Sequence, residues 1–463
     1  MKTKNRSMLE GPLLPSIISY TIPIILTSVL QLLFNAADLV VVGRFCGSVS
    51  VAAVGATGAI TNLVINLFIG FSVGAGVSVA HALGAREDQA VHRAVHTALP
   101  TALVSGIILT VVGVAFSESL LKMMGTPDNV LSLSALYMRI YFGGMTFNMV
   151  YNFCASILRA AGDTKSPLVY LTLAGVINVL LNLFFVIVLH MNVAGVALAT
   201  TISQGISAVL VVIALVRRTD ACRLSLKNMR FYKPQLLKMV RIGLPAGIQG
   251  SLFSISNVMI QSSINSFGEV VMSGNAAAGN IEGFVYVGMN SFQQTAVNFV
   301  GQNVGAHQYQ RARKTLFLCL VCAAVVGLST SLLAYAFAPQ LLSIYITDSA
   351  EAISYGVMRM SVVCLTYSLC GLMDTTTGAL RGMGASTVPM IISILGVCGV
   401  RMGWILTVFQ LPQFHAPWWL YISYPVSWTF TFVAQLIAFI LVYRTRIRKD
   451  SMYVMKSLNA QGQ

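Results

Sequence analysis

The stretch "LRAAGDTKSP" at residues 158–167 returns as "LRGMGASTVP" at residues 380–389. Arg159 falls on Arg381, Gly162 on Gly384 and Pro167 on Pro389, each 222 residues further on. The same offset carries Pro23 to Pro245, and one residue less carries "ALGA" (82–85) to "NVGA" (303–306). Anchors that hold one spacing across half a chain mark an internal repeat. Two copies of one unit are therefore expected, each filling half of the sequence.

What fills each copy is apolar. Of 463 residues, 56% are hydrophobic and 9% charged, with a mean hydropathy of +0.78. Ordinary globular chains carry about 25% charged residues, so the solvent for this surface must be lipid. About 20 apolar residues cross a hydrocarbon core as a helix. Twelve such spans can be placed, at 16–41, 54–80, 97–117, 132–157, 167–189, 194–216, 243–267, 275–299, 316–337, 353–379, 389–410 and 420–443. The predicted fold is an all-α polytopic membrane protein with 12 transmembrane helices in two pseudo-symmetric six-helix bundles. Residues 1–216 form the first lobe, 217–242 a linker, 243–443 the second lobe and 444–463 a basic tail.

A net charge of +15 could suggest nucleic acid, but its placement argues against that partner. With the N-terminus inside, 24 of the 29 Lys and Arg lie in cytoplasmic segments, and Arg44 and Lys122 lie outside. Arg139, Arg359 and Arg401 fall in or near spans. This is the positive-inside pattern, and it places both termini in the cytoplasm. Six spans per copy is an even number, so the copies run parallel about an axis along the membrane normal. Two such bundles would enclose a cavity and alternate its access by rocking. No loop is long enough for a folded enzyme domain. The eight cysteines show no paired framework, and the Cys319/Cys322 pair inside an apolar helix reads as packing.

Three acids lie within spans: Asp38, Glu282 and Asp374. A charge at a helix centre costs about 2.5–3.5 kcal/mol on insertion scales, and intramembrane acids mark ion pathways. Gln31, Asn35 and Asp38 recur at helical spacing on span 1, Asn178 and Asn182 on span 5, and Thr200 stands on span 6. Asn182 and Thr200 each lie ~12 Å below the outer surface at 1.5 Å per residue. One carboxylate, two amides and a hydroxyl at similar depth suit a small hard cation such as Na+, or a proton with hydrogen-bonded support. The alternative for each amide is interhelical bonding. In the second half, Glu282, Tyr286 and Gln293 share span 8, Asp374 lies on span 10, and Gln249 and Asn257 on span 7. Arg401, midway through span 11, needs a counter-ion, and Glu282 and Asp374 are the acids within spans of that half. It is read as either half of a structural pair or a substrate contact.

Twelve spans in two halves, "P-x(11)-N-A-A-D" in span 1, "LGA" and "QNVGA" after spans 2 and 8, and the opening pair of motifs together resemble the multidrug and toxic compound extrusion (MATE) family, nearer its prokaryotic DinF-like branch. The resemblance covers about residues 10–445. It implies a two-lobed antiporter of the MOP superfamily, monomeric, in a bacterial plasma membrane. Such a protein exports amphipathic organic cations in exchange for H+ or Na+ and needs no other cofactor. It further implies that the coupling-ion cluster maps onto Asp38, Asn178, Asn182 and Thr200. Relatives usually have an aspartate where this chain has Asn182, which weakens the case for tight sodium binding. The alternative within the superfamily is a lipid-linked oligosaccharide flippase, against which twelve spans and a single mid-span arginine argue.

Overall fold

In a computed structural model, residues 8–347 and 349–461 are described, and among them there is no strand. Hydrocarbon offers backbone N–H and C=O groups no partner, so a spanning chain must satisfy them within itself as helix. Twelve helical spans follow in order among the described residues. Spans 1 to 3 are Leu13–Phe45, Ser48–Gly84 and Asp88–Met123. Span 4 is two helices, Asp128–Gly143 and Met145–Ala160. Span 5 runs Lys165–Leu183 into a π-helical turn, Phe184–Val188, and span 6 is Asn192–Val216. Spans 7 to 9 are Lys233–Asn265, Glu269–Gly305 and Tyr309–Ala336. Span 10 joins Ala350–Arg359, a π turn at Met360–Cys364 and Tyr367–Gly382. Span 11 joins Thr387–Ser393, Ile394–Gly399 and Val400–Leu406, and span 12 is Pro417–Gln461.

Eight of these helices are by themselves long and apolar enough to cross a membrane, and the two arms of span 10, bent by 42°, make a ninth. Span 4 falls short because it is interrupted, and spans 7 and 8 because polar side chains line them. Span 7 begins at Lys233, inside the segment 217–242 expected to be linker. The expected tail from 444 continues span 12 as helix to Gln461; residues 462 and 463 lie outside the described residues, as do 1–7 at the start of the first lobe.

The repeat is a repeat of helix ends. After span 4, Gly162 N–H bonds Arg159 O at 3.0 Å and Asp163 N–H bonds Leu158 O at 2.9 Å. After span 10, Gly384 N–H bonds Arg381 O at 2.8 Å and Ala385 N–H bonds Leu380 O at 3.0 Å. Both are Schellman closures, which need a left-handed residue, and the φ angles are +89° at Gly162 and +77° at Gly384. Spans 4 and 10 also break at matching places, Gly144 and Thr366. The carbonyls freed near Gly144 are taken by Thr110 (Phe142 O, 2.9 Å) and Thr201 (Ile140 O, 3.2 Å); near Thr366 that residue's own hydroxyl takes Val362 O at 2.6 Å.

The chain divides into two compact units, Ile18–Ile255 and, with Met8–Ile17, Ser256 onward. The first half of span 7 thus belongs to the first unit. There Gly243 and Gly247 meet Gly70 and Gly74 of span 2 so closely that an added Cβ on Gly70 would lie 2.2 Å from Gly247 N. No side chain fits between these backbones, the small-xxx-small form of membrane helix packing.

In the second unit the main electrostatic tie is Arg359 on span 10 with Glu282 on span 8. The guanidinium donates from Nε at 3.1 Å and from a terminal nitrogen at 2.7 Å, and its other arm bonds Asn275 Oδ1 at 2.6 Å. Both residues are buried. Replacing Gly162 or Gly384 by Ala should cost about 1–2 kcal/mol each, the penalty of a left-handed side-chain-bearing residue, read as a lower unfolding temperature in detergent. Arg359→Met should cost about 3–5 kcal/mol, because it strands a buried carboxylate, and the double variant Glu282→Gln/Arg359→Met should recover most of that loss.

Candidate functional site

Asp38 sits on span 1 seven residues before the helix ends, with its side chain half-buried. Two donors converge on its carboxylate. Asn182 of span 5 donates from Nδ2 to Oδ1, and Thr200 of span 6 donates to Oδ2 at 3.4 Å. Asn178, one turn before Asn182, accepts from Asn182 Nδ2 at 3.3 Å and donates to Thr200 Oγ1 at 3.3 Å. Asp38, Asn178, Asn182 and Thr200 therefore form one closed network across three helices. Helical periodicity explains each placement: residues four apart share a face, and spans 5 and 6 pack side by side along their lengths.

Two features of this network bear on its chemistry. Both groups aimed at Asp38 are neutral donors, an amide N–H and a hydroxyl. One oxygen is left over: Asn182 Oδ1 is buried and has no hydrogen-bond partner. A buried acceptor is costly to leave unpaired, so this oxygen is available to a donor. Thr200 has a second acceptor in reach, Val196 O at 2.9 Å, so its single proton can turn away from Asp38. The donor set fits a proton directly. It fits a sodium ion only if the Asn182 amide turns its oxygen inward.

The other members of the polar stripe do not join. Gln31 and Asn35 are exposed and make no hydrogen bond among the described residues. The helix face was common to all three, but only at Asp38 does a neighbouring span present hydrogen-bonding side chains to it among the described residues. Sequence reading passed over Tyr137 and Tyr141 on span 4. Their rings stack at 6.0 Å and lie within electrostatic range of Asp38. Their spacing of four was the available signal, lost among many aromatics.

The second unit holds a second polar cluster, around the buried Asp374. Tyr286 donates to Asp374 Oδ2 at 3.0 Å, and Asn290 donates to Tyr286 Oη at 2.9 Å and to Gln293 Oε1 at 3.0 Å. Glu282 is not part of it, being engaged by Arg359. Gln249 belongs to the first unit.

The expected counter-ion of Arg401 needs correcting. Neither Glu282 nor Asp374 pairs with it, and no carboxylate stands within ion-pair distance among the described residues. Instead its guanidinium lies 4.3 Å over the Tyr424 ring and 5.7 Å from that of Trp428. It donates to Ser427 Oγ at 3.0 Å and Asn257 Oδ1 at 3.4 Å. Aromatic faces thus replace the missing anion. Sequence reading gave the acid to the wrong arginine, since Arg359 stood at the edge of its span and was left unassigned.

Comparison with known proteins agrees with this architecture. The MatE family model matches residues 23–184 and again 245–405, so it covers the two halves separately at the offset of the repeat. The probable multidrug resistance protein YoeA of Bacillus subtilis is 26% identical over 88% of this chain and 89% of its own length. YpnP of the same organism, also a probable multidrug resistance protein, is 24% identical over 85% of this chain and 87% of its own. Among solved structures, the outward-facing conformation of a multidrug resistance MATE family transporter of the MOP superfamily aligns with a TM-score of 0.88 at 21% identity, over 97% of this chain and all of that one. With two matching halves, twelve helical spans and full-length relatives, this chain belongs to the MatE family of multidrug and toxic compound extrusion transporters.

Proposed function

We propose that the protein is a secondary antiporter that exports amphipathic, cationic solutes by alternating access, driven by entry of H+ at Asp38. In this reading both termini lie on the cytoplasmic side of the plasma membrane, a placement that the distribution of Lys and Arg supports. One observation carries this reading: a membrane-embedded carboxylate held by two donors, beside one unspent amide oxygen.

The steps follow from those bonds. Ionised, Asp38 accepts from Asn182 and Thr200. A proton arriving from outside converts one carboxylate oxygen into a donor, and that donor needs an acceptor. Asn182 Oδ1 supplies it, giving a paired acid–amide ring, while Thr200 turns its hydroxyl to Val196 O. The contact between span 1 and span 6 weakens and the contact between span 1 and span 5 strengthens. The site thus has two hydrogen-bonded states that differ in which helix holds Asp38. One charge moving through 100 mV supplies about 2.3 kcal/mol, enough to bias such a pair of states by tens of fold.

The Arg401 environment favours a second reading. A buried guanidinium without a carboxylate partner suits an anionic or zwitterionic substrate group. It is also what a lipid-linked pyrophosphate would meet in a flippase of the same superfamily.

Proteoliposomes separate these cases. Dye efflux under an imposed proton gradient is expected, with a weaker response to a sodium gradient; dependence on sodium alone rejects the proton mechanism. Asp38→Asn should abolish ion-driven efflux and leave membrane insertion intact, and normal export by that variant would end Asp38's assigned role. Asn182→Asp adds a second carboxylate and should shift the response toward sodium, read as efflux rate under each gradient. Arg401→Gln should leave cationic dyes exported; selective loss of anionic substrates instead supports the second reading.

A further inference from the structure

We infer that the groove between spans 9 and 12 in the second unit is a binding site for one anionic phospholipid. The groove has a volume of about 650 Å³. Arg313 and Lys314, in the first turns of span 9, and Arg444, where span 12 passes the same level, stand at its rim. All three side chains are exposed. None forms an ion pair or hydrogen bond among the described residues. Asp450, the acid nearest to Arg444 in the chain, is already engaged by His307 and Tyr309 at 2.5 Å each. Three cations without a partner among the described residues therefore face one opening.

Below the rim the lining changes character. Phe317 and Leu320 follow Arg313 at helical spacing on span 9, and Ile440 precedes Arg444 by one turn on span 12. Phe317 is 66% exposed and Ile440 43%. From Arg313 to Leu320 the apolar wall descends about 10 Å at 1.5 Å per residue. That is a large part of one leaflet, half of a ~30 Å core. Cationic rim above and apolar wall below match a phosphate headgroup above an acyl chain. Basic pockets between membrane helices on the cytoplasmic side take anionic headgroups in this way. A free phosphate would use the rim and leave the wall wet; a zwitterionic lipid would leave the net charge uncompensated. The assignment to the cytoplasmic leaflet rests on the orientation proposed above. The charge and lining arguments do not.

The test uses the full chain in detergent, with lipid retention followed by native mass spectrometry. Phosphatidylglycerol should be retained in preference to phosphatidylcholine at one molecule per chain. The variant Arg313→Ala/Lys314→Ala/Arg444→Ala should lower retention by roughly tenfold or more, as removal of three surface cations implies. A charge-matched control in the linker, Arg223→Ala/Lys227→Ala/Arg230→Ala, should leave it unchanged. Equal loss in both variants would mean only general attraction to a basic surface and would overturn the site. So would displacement of the lipid by millimolar inorganic phosphate. A phosphatidylglycerol carrying a photoreactive acyl chain gives a readout on the unaltered protein. Crosslinks at Phe317, Leu320 or Ile440 are expected, and crosslinks only elsewhere reject the proposal. None of these readouts depends on transport, so failure here leaves the antiport reading standing, and the reverse holds too.

Discussion

Every feature of this molecule answers to one constraint: inside hydrocarbon, a backbone polar group without a partner costs several kcal/mol. The constraint makes the chain helical, and it also dictates where the helices stop. Interruptions are tolerated only where something closes them. At Gly144 two threonines from neighbouring spans take the freed carbonyls; at Thr366 the residue serves itself. At Gly162 and Gly384 the chain curls into a left-handed turn so that its own N–H groups cover the last carbonyls. The motif that stands out most in the sequence is the piece of backbone least free to vary.

The same rule extends from backbone to side chains. Each acid within a span is held, but by different means. Glu282 has a guanidinium, Asp374 a tyrosine hydroxyl, and Asp38 an amide and a hydroxyl. A charged partner fixes a carboxylate in its ionised form. Neutral donors favour that form without enforcing it. Of the three, Glu282 is thus the most firmly committed to structure, while Asp38 is the one to which the proposed mechanism gives a choice of states.

Much of this was legible in the residues. The repeat, the twelve spans and the grouping of Asp38 with Asn178, Asn182 and Thr200 came from offsets, run lengths and spacings of four, which are properties of single helices. What stayed hidden depended on how helices meet. The pairing of Glu282 with Arg359 rather than Arg401 is set by the packing of span 10 on span 8, and periodicity does not encode which turn faces which. Arg359 and Asp374 lie fifteen residues apart on the same span, about 22 Å as helix, so a single guanidinium could never have served both acids. Gln31 and Asn35 failed for a related reason: a shared face does not guarantee a neighbour at every turn. The start of span 7 at Lys233 was masked by its basic residues, which read as linker although they continue a helix.

The network around Asp38 contains a single carboxylate, because residue 182 is an amide. Such a centre can neutralise one monovalent ion at a time and no more. If Asp38 is the coupling site, as proposed, stoichiometry is capped at one counter-ion per cycle through it. Exchange of one proton for a monocationic solute would be electroneutral and indifferent to membrane voltage. Exchange for a neutral solute would carry current. With one proton exchanged per cycle, as proposed, the charge of the solute decides whether its export draws on the pH difference alone or on the electrical gradient as well.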